Sequence, residues 1–139
     1  MPEVCVDASF ALKLVLLEPE RDLVRAKFAA WQQNRIVVIA PWLWAFESHS
    51  VLWRKVVRAE FTDQRAREAW HILRRQGIHT VHPRGLFDRA WEIATQLARP
   101  VTYDAVYAAV AALRGCELWT ADQRLINAAS GKLGWIRAV

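Results

Sequence analysis

Four acidic residues stand where chemistry would need them: Asp7, Glu47, Asp104 and Asp122. Asp7 ends the β-branched segment Glu3–Asp7 (EVCVD). Glu47 lies inside an apolar helical run with Leu43, Phe46, Ser50 and Val51 as its i±3 and i±4 neighbours, a setting a carboxylate rarely takes without a partner. Asp104 starts the Ala-rich run Tyr103–Leu113, and Asp122 follows the strand-like segment Glu117–Thr120. A central strand at Glu117–Thr120 would put Asp104 and Asp122 at one end of a sheet, where open α/β sheets place their chemistry. Singly, each acid has an ordinary explanation: Asp7 as a helix cap, Asp104 and Asp122 as partners of a helix dipole, Glu47 as the mate of a buried arginine. Jointly, all four can reach the same sheet end. Close carboxylates repel in a low dielectric unless one is protonated or a cation intervenes. An oxygen-only ligand set suits Mg²⁺ or Mn²⁺, and such an ion activates water for in-line attack on a phosphodiester.

The elements that must carry these acids are legible as alternating strands and helices. Glu3–Asp7 reads as a buried strand and Ala8–Leu17 as a helix with Phe10, Leu14 and Leu17 on one face. Glu18-Pro19-Glu20 breaks that helix and starts a second, which runs to about Gln33 with a stripe of Leu23, Val24, Lys27, Phe28 and Trp31. Arg35–Ala40 is apolar without alternation, as in a strand covered on both faces. Pro41 opens a third helix to about Arg58, Thr62 caps a fourth to about Arg75, and Ile78–Val81 is a short strand. A fifth helix follows Pro83, with Leu86, Ala90, Ile93, Ala94 and Leu97 inward. Thr102 can cap the sixth, Tyr103–Leu113. Thr120-Ala-Asp-Gln123 fits a capping box that makes Thr120 the cap of a seventh helix, to about Ala129. Leu133–Ala138 closes the chain as an edge strand. The pattern predicts a single domain over residues 1–139: a three-layer α/β/α sandwich around a mostly parallel five-stranded sheet.

Composition narrows the function classes. At 54% hydrophobic residues the chain supports a core, and its apolar runs are too short and too broken by charge to span a membrane. The acids at Glu3 and Asp7 do not fit a secretion signal, so a cytoplasmic location is expected. Cys5 and Cys116 are expected as reduced thiols; with four scattered histidines they make no zinc site. The net charge is +5. If four carboxylates gather in one site, ten acids remain against 19 basic residues and the rest of the molecule carries +9. An acidic pocket in a basic body suits a metal-dependent enzyme acting on nucleic acid.

The motifs Val6-Asp7-Ala8-Ser9, Pro41 with Glu47, Tyr103-Asp104-Ala105 and Leu118-Trp119-Thr120-Ala121-Asp122 followed by Leu125 resemble those of the PIN-domain ribonucleases, and within them the VapC toxins of bacterial toxin–antitoxin pairs. The resemblance spans Val6 to Leu125. It implies a Mg²⁺- or Mn²⁺-dependent endoribonuclease with Asp7, Glu47, Asp104 and Asp122 as metal-site acids and Ser9 and Thr120 as supporting polar residues. It also implies a homodimer and a cognate VapB-like antitoxin that blocks the site, with operator DNA bound only through the toxin–antitoxin complex. Readings outside it are an RNA-processing nuclease of the same fold without an antitoxin, and a non-catalytic PIN-like scaffold. A flavodoxin-like domain is disfavoured by the lack of a Gly-rich phosphate loop. Lys13, one turn after Ser9, and Arg54, near the end of the Glu47 helix, are candidate phosphate contacts. Trp42, Trp44 and Trp53 make the third helix apolar on nearly every side, so part of it should line an antitoxin groove or dimer interface.

Overall fold

The computed structural model describes residues 1–139. In chain order the elements are β1 (Glu3–Val6), α1 (Ala8–Leu12), α2 (Arg21–Gln33), β2 (Val37–Ala40), α3 (Leu43–Val57), α4 (Asp63–Arg74), β3 (His79–Thr80), α5 (Leu86–Leu97), α6 (Tyr103–Arg114), β4 (Leu118–Thr120), α7 (Gln123–Ala129) and β5 (Ile136–Ala138). The strands form one sheet in the order β3-β2-β1-β4-β5. Every neighbouring pair is parallel, with Cys5 opposite both Ile39 and Leu118. The central strand is therefore β1; β4 lies beside it, and β5 is an edge as expected.

The sheet is an α/β sandwich because its middle strands have no polar face. Val4, Cys5 and Val6 are all buried. Helix α6, whose residues Ala105 to Ala111 are all buried, packs on β1 and β4, and α5 packs on α6. Small alanines let α6 approach closely, and Trp135 donates its indole N–H to the Ala108 carbonyl at 3.0 Å. Elsewhere Phe10, Phe28, Trp31 and Trp119 form an aromatic cluster with ring centroids 5.4–6.2 Å apart, and Lys27 places its ammonium 4.2 Å from the Trp119 ring centre. Both cysteines are free thiols, and no helix is long and apolar enough to cross a membrane.

Several sequence expectations shift. The first helix ends at Leu12 rather than Leu17, because tight i→i+3 bonds at Lys13, Leu14 and Val15 turn the chain. That turn buries Leu14 and Leu16 and leaves Leu17 71% exposed. Leu23 is also exposed, so the inward face of α2 is Val24, Phe28 and Trp31. Thr102 occupies the cap position of α6 without a side-chain bond. Thr62 caps α4 by accepting from the Arg65 N–H, as read from the sequence. Thr120 is not the cap of α7: it is a buried strand residue, and Asp122 takes the cap by accepting from the Arg124 N–H at 2.9 Å.

Candidate active site

The four acids come from four places that the parallel sheet brings to one edge. Asp7 follows β1, and Asp122 lies two residues beyond β4. Glu47 is in the second turn of the helix after β2, and Asp104 is in the first turn of α6. Helices that return antiparallel to the strands point their N-termini at the strands' C-terminal ends, so the peptide dipoles there favour negative charge.

Asp7 is the best-organised of the four. It is 4% exposed and caps α1 through Oδ1, which accepts from the Phe10 N–H at 2.9 Å. The same oxygen accepts from the Ser9 hydroxyl at 2.7 Å, and Oδ2 accepts from the Thr120 hydroxyl. Thr120 in turn accepts the Asp122 N–H at 3.0 Å, and Ser9 accepts the Ala121 N–H at 3.0 Å. The two hydroxyls thus bind the β1–α1 turn to the β4–α7 turn and fix Asp7 relative to Asp122. Burial pushes the Asp7 carboxyl up to about 6, against the three hydrogen bonds that favour its ionised form, and the charge of Asp104 adds to the rise.

Glu47 and Asp104 are half-buried and also held above the usual carboxylate range. For Glu47 the main cause is burial, opposed by the Tyr107 hydroxyl and reinforced by the charges of Asp104 and Asp122. Tyr107 donates to Glu47 Oε1 at 2.5 Å, and burial with that neighbouring charge pushes the phenol upward, so it remains a donor. For Asp104 burial again leads. Arg99 opposes the rise, its Nη2 lying 2.8 Å from Oδ2, and the charge of Asp122 supports it. Even with a guanidinium against it, Asp104 stays raised.

A divalent ion fits the donor chemistry of this group. All four side chains offer carboxylate oxygens, and three carry an ionisation cost that a cation would relieve. In the arrangement present, no three acidic, histidine or cysteine side chains converge closely enough to hold an ion. Asp104 is engaged by Arg99, and Glu47 is oriented by Tyr107. Two cavities lie elsewhere. One of about 280 Å³ separates α3 from α4 around Leu52, Trp53 and Trp70. The other, about 570 Å³, includes Arg35, Val37, Arg75 and His79, at the N-terminal ends of β2 and β3.

The candidate phosphate contacts fare differently. Lys13 points its ammonium at Glu18 and Glu20. Burial would lower its pKa, but the two hydrogen-bonded carboxylates outweigh that and raise it. It is committed to the turn after α1 rather than free for a phosphate, because the shortened α1 swings it toward α2. Arg54 is exposed and belongs to none of the ion pairs, but it lies two turns beyond Glu47, about 10 Å along the helix. The outer face of α3 carries Trp42, Phe46 and Trp53, each at least 60% exposed, and Val57, while Trp44 faces the core. The histidines stay outside the site: His49 stacks edge-on against Trp70 and His82 against Phe87.

Two site residues escaped the sequence reading. Tyr107 had a signal, since it lies three residues after Asp104 on the same helix face. Arg99 had none, because it sits between α5 and α6, just before Pro100, outside any helical period. If the acids serve the phosphodiester cleavage expected from the sequence, replacing Tyr107 with phenylalanine removes the donor that orients Glu47 and should lower that cleavage about ten- to a hundredfold with little change in thermal stability; wild-type turnover in the variant would refute the orienting role.

An all-parallel α/β sandwich with an oxygen-only acidic edge defines the class. Residues 4–131 match the PIN domain family. The chain is 36% identical over 123 residues to Ribonuclease VapC9 of Mycobacterium tuberculosis and to VapC ribonuclease Mb0985 of Mycobacterium bovis, covering 88% of this chain and 87% of each relative. Among solved structures, PAE2754 of Pyrobaculum aerophilum superimposes with a TM-score of 0.72 at 23% identity, covering 99% of this chain and 90% of that one. VapC20 of Mycobacterium tuberculosis, described as a sarcin-ricin loop cleaving toxin, gives 0.66 at 20% identity, covering 92% and 95%. At these identities the two structures speak for the fold alone. The chain belongs to the PIN-domain family, among its VapC members.

Proposed function

We propose that this chain is a toxin-type endoribonuclease that hydrolyses RNA phosphodiester bonds with Mg²⁺ or Mn²⁺ held by Asp7, Glu47, Asp104 and Asp122. The observation that carries the reading is the gathering of three carboxylates with raised pKa, and a fourth whose charge two of them feel, at the C-terminal edge of a parallel sheet. When bound, the ion would supply an activated water and offset charge on the phosphate. The chain's own residues do the rest. Ser9 and Thr120 hold Asp7 in one orientation, Tyr107 holds Glu47, and the backbone N–H groups at the starts of α1 and α7 fix the carboxyls of Asp7 and Asp122. No side chain is placed as a covalent nucleophile.

The partners that go with this reading are a VapB-like antitoxin and a second copy of the chain. The exposed apolar stripe of α3, on the helix that carries Glu47, supports a protein partner beside the site. Incubation of the purified protein with total RNA tests the function. Cleavage should fall to background in EDTA and return with Mg²⁺ or Mn²⁺, with discrete mapped ends; cutting that ignores EDTA would overturn the metal-dependent reading.

A further inference from the structure

The contact between Arg99 and Asp104 is an unusual use of an arginine. Its Nη2 reaches Asp104 Oδ2 at 2.8 Å, with both side chains largely covered (25% and 20% exposed). The forked, two-bond geometry that makes arginine–carboxylate pairs strong is absent. The guanidinium Nε is buried without any hydrogen-bond partner, a costly state for a polar group. Arg99 is therefore poorly satisfied where it lies, with one hydrogen bond to Asp104 and a buried donor left over. A pair like this is easier to exchange than a fully bonded one. It also engages one of the oxygens that a metal ion would need.

We infer that Arg99 is an internal counter-ion for Asp104, which neutralises the carboxylate in the metal-free protein and competes with the divalent ion for it. The inference rests on the reading of Asp104 as a metal ligand. Its consequence is a threshold: the ion binds only when it outcompetes a tethered guanidinium, whose local concentration does not change. A divalent ion can win because it offers two charges and can draw on all the carboxylates at once, whereas the guanidinium contacts one.

Calorimetric titration of Mn²⁺ into the full chain without RNA tests this apart from activity. Arg99→Gln should bind Mn²⁺ roughly five- to tenfold more tightly than wild type, the competition being worth about one part-exposed ion pair. Arg99→Lys, which keeps a tethered cation, should stay nearer to wild type. Asp104→Asn should bind at least about tenfold more weakly. Unchanged or weaker binding by Arg99→Gln, with Asp104→Asn weakened, would overturn the competition and leave the metal site intact. Unaltered binding by Asp104→Asn would instead remove the metal-site reading itself. Wild type gives a second readout that needs no variant to fold: the Arg99 Nε resonance should move as Mg²⁺ saturates, and a resonance that stays fixed at saturation would overturn the inference.

Discussion

Replacing Asp7 by asparagine should abolish RNA cleavage and, in metal-free buffer at neutral pH, make the protein more stable. The first effect follows from charge. Asp7 is the most buried of the four acids and the one fixed by three hydrogen bonds, so its loss should cost on the order of 10³-fold in rate, about 4 kcal/mol of transition-state stabilisation. The fold survives because asparagine is isosteric and caps a helix as well as aspartate does. Asparagine Nδ2 can donate to Thr120, whose hydroxyl proton can turn to Ser9, 3.2 Å away. The second effect follows from the raised pKa. A carboxyl lifted from 3.8 to about 6 in the folded state penalises folding once it ionises. The penalty is absent below the unfolded value, grows between pH 4 and 6 and is complete above that. Removing it should add about 2–3 kcal/mol at pH 7.5, roughly 5–10 °C in melting temperature for a chain of this size. The gap between variant and wild type should close as pH falls to 4, and Mg²⁺ should narrow it by stabilising only the wild type. Melting curves in EDTA across that pH range decide it: a variant less stable than wild type at pH 7.5 would show that the ionised carboxylate supports the fold.

Phe10→Ala should be the most damaging single change to stability. Phe10 is fully buried, with ring centroids 5.6 Å from Trp31, 5.9 Å from Phe28 and 6.2 Å from Trp119. Truncation leaves a cavity among rigid aromatic rings that cannot collapse to fill it, at a cost of about 3–5 kcal/mol, or roughly 10–15 °C in melting temperature. The change reaches the site only indirectly. The Phe10 N–H that holds Asp7 is a backbone group and survives the substitution. Cleavage by the folded fraction at low temperature should therefore stay within about threefold of wild type, since the hydrogen bonds to Asp7 are unaltered. Denaturant unfolding with turnover measured at 15 °C separates the two. A loss under 1 kcal/mol would mean that the cluster repacks, and an inactive but folded variant would mean that α1 moves with its anchor.

Stability and catalysis are opposed at Asp7 and separable at Phe10. The core around α1 holds the cap residue in place, and the cap residue carries the ionisation cost that ion binding would recover. A metal-free site of this kind stores strain in its charges rather than in its backbone. None of the four acids has a left-handed φ; the non-glycine residues that do are Arg35, Ala59 and Ala98, beyond helix ends.

What the amino-acid sequence determined by itself is the order and type of the elements and the identity of the four acids. Both are local properties: a buried strand shows as an unbroken apolar run, a helix as a 3.6-residue period, and an acid at a helix start as a neighbour of that period. Because parallel strands put all their C-terminal ends at one edge, the list of acids after strands and at helix starts was already a candidate site. Tertiary structure decided the partners. Tyr107 meets Glu47 across 60 positions of chain and Thr120 meets Asp7 across 113, and no periodicity encodes such distances. It also moved Thr120 from capping a helix to steadying Asp7, turned Lys13 toward Glu18 and Glu20, and set Arg99 against Asp104. Each of those outcomes depends on how a helix end sits on the sheet to within a few ångströms, a quantity set by the packing of Phe10, α6 and the central strand together.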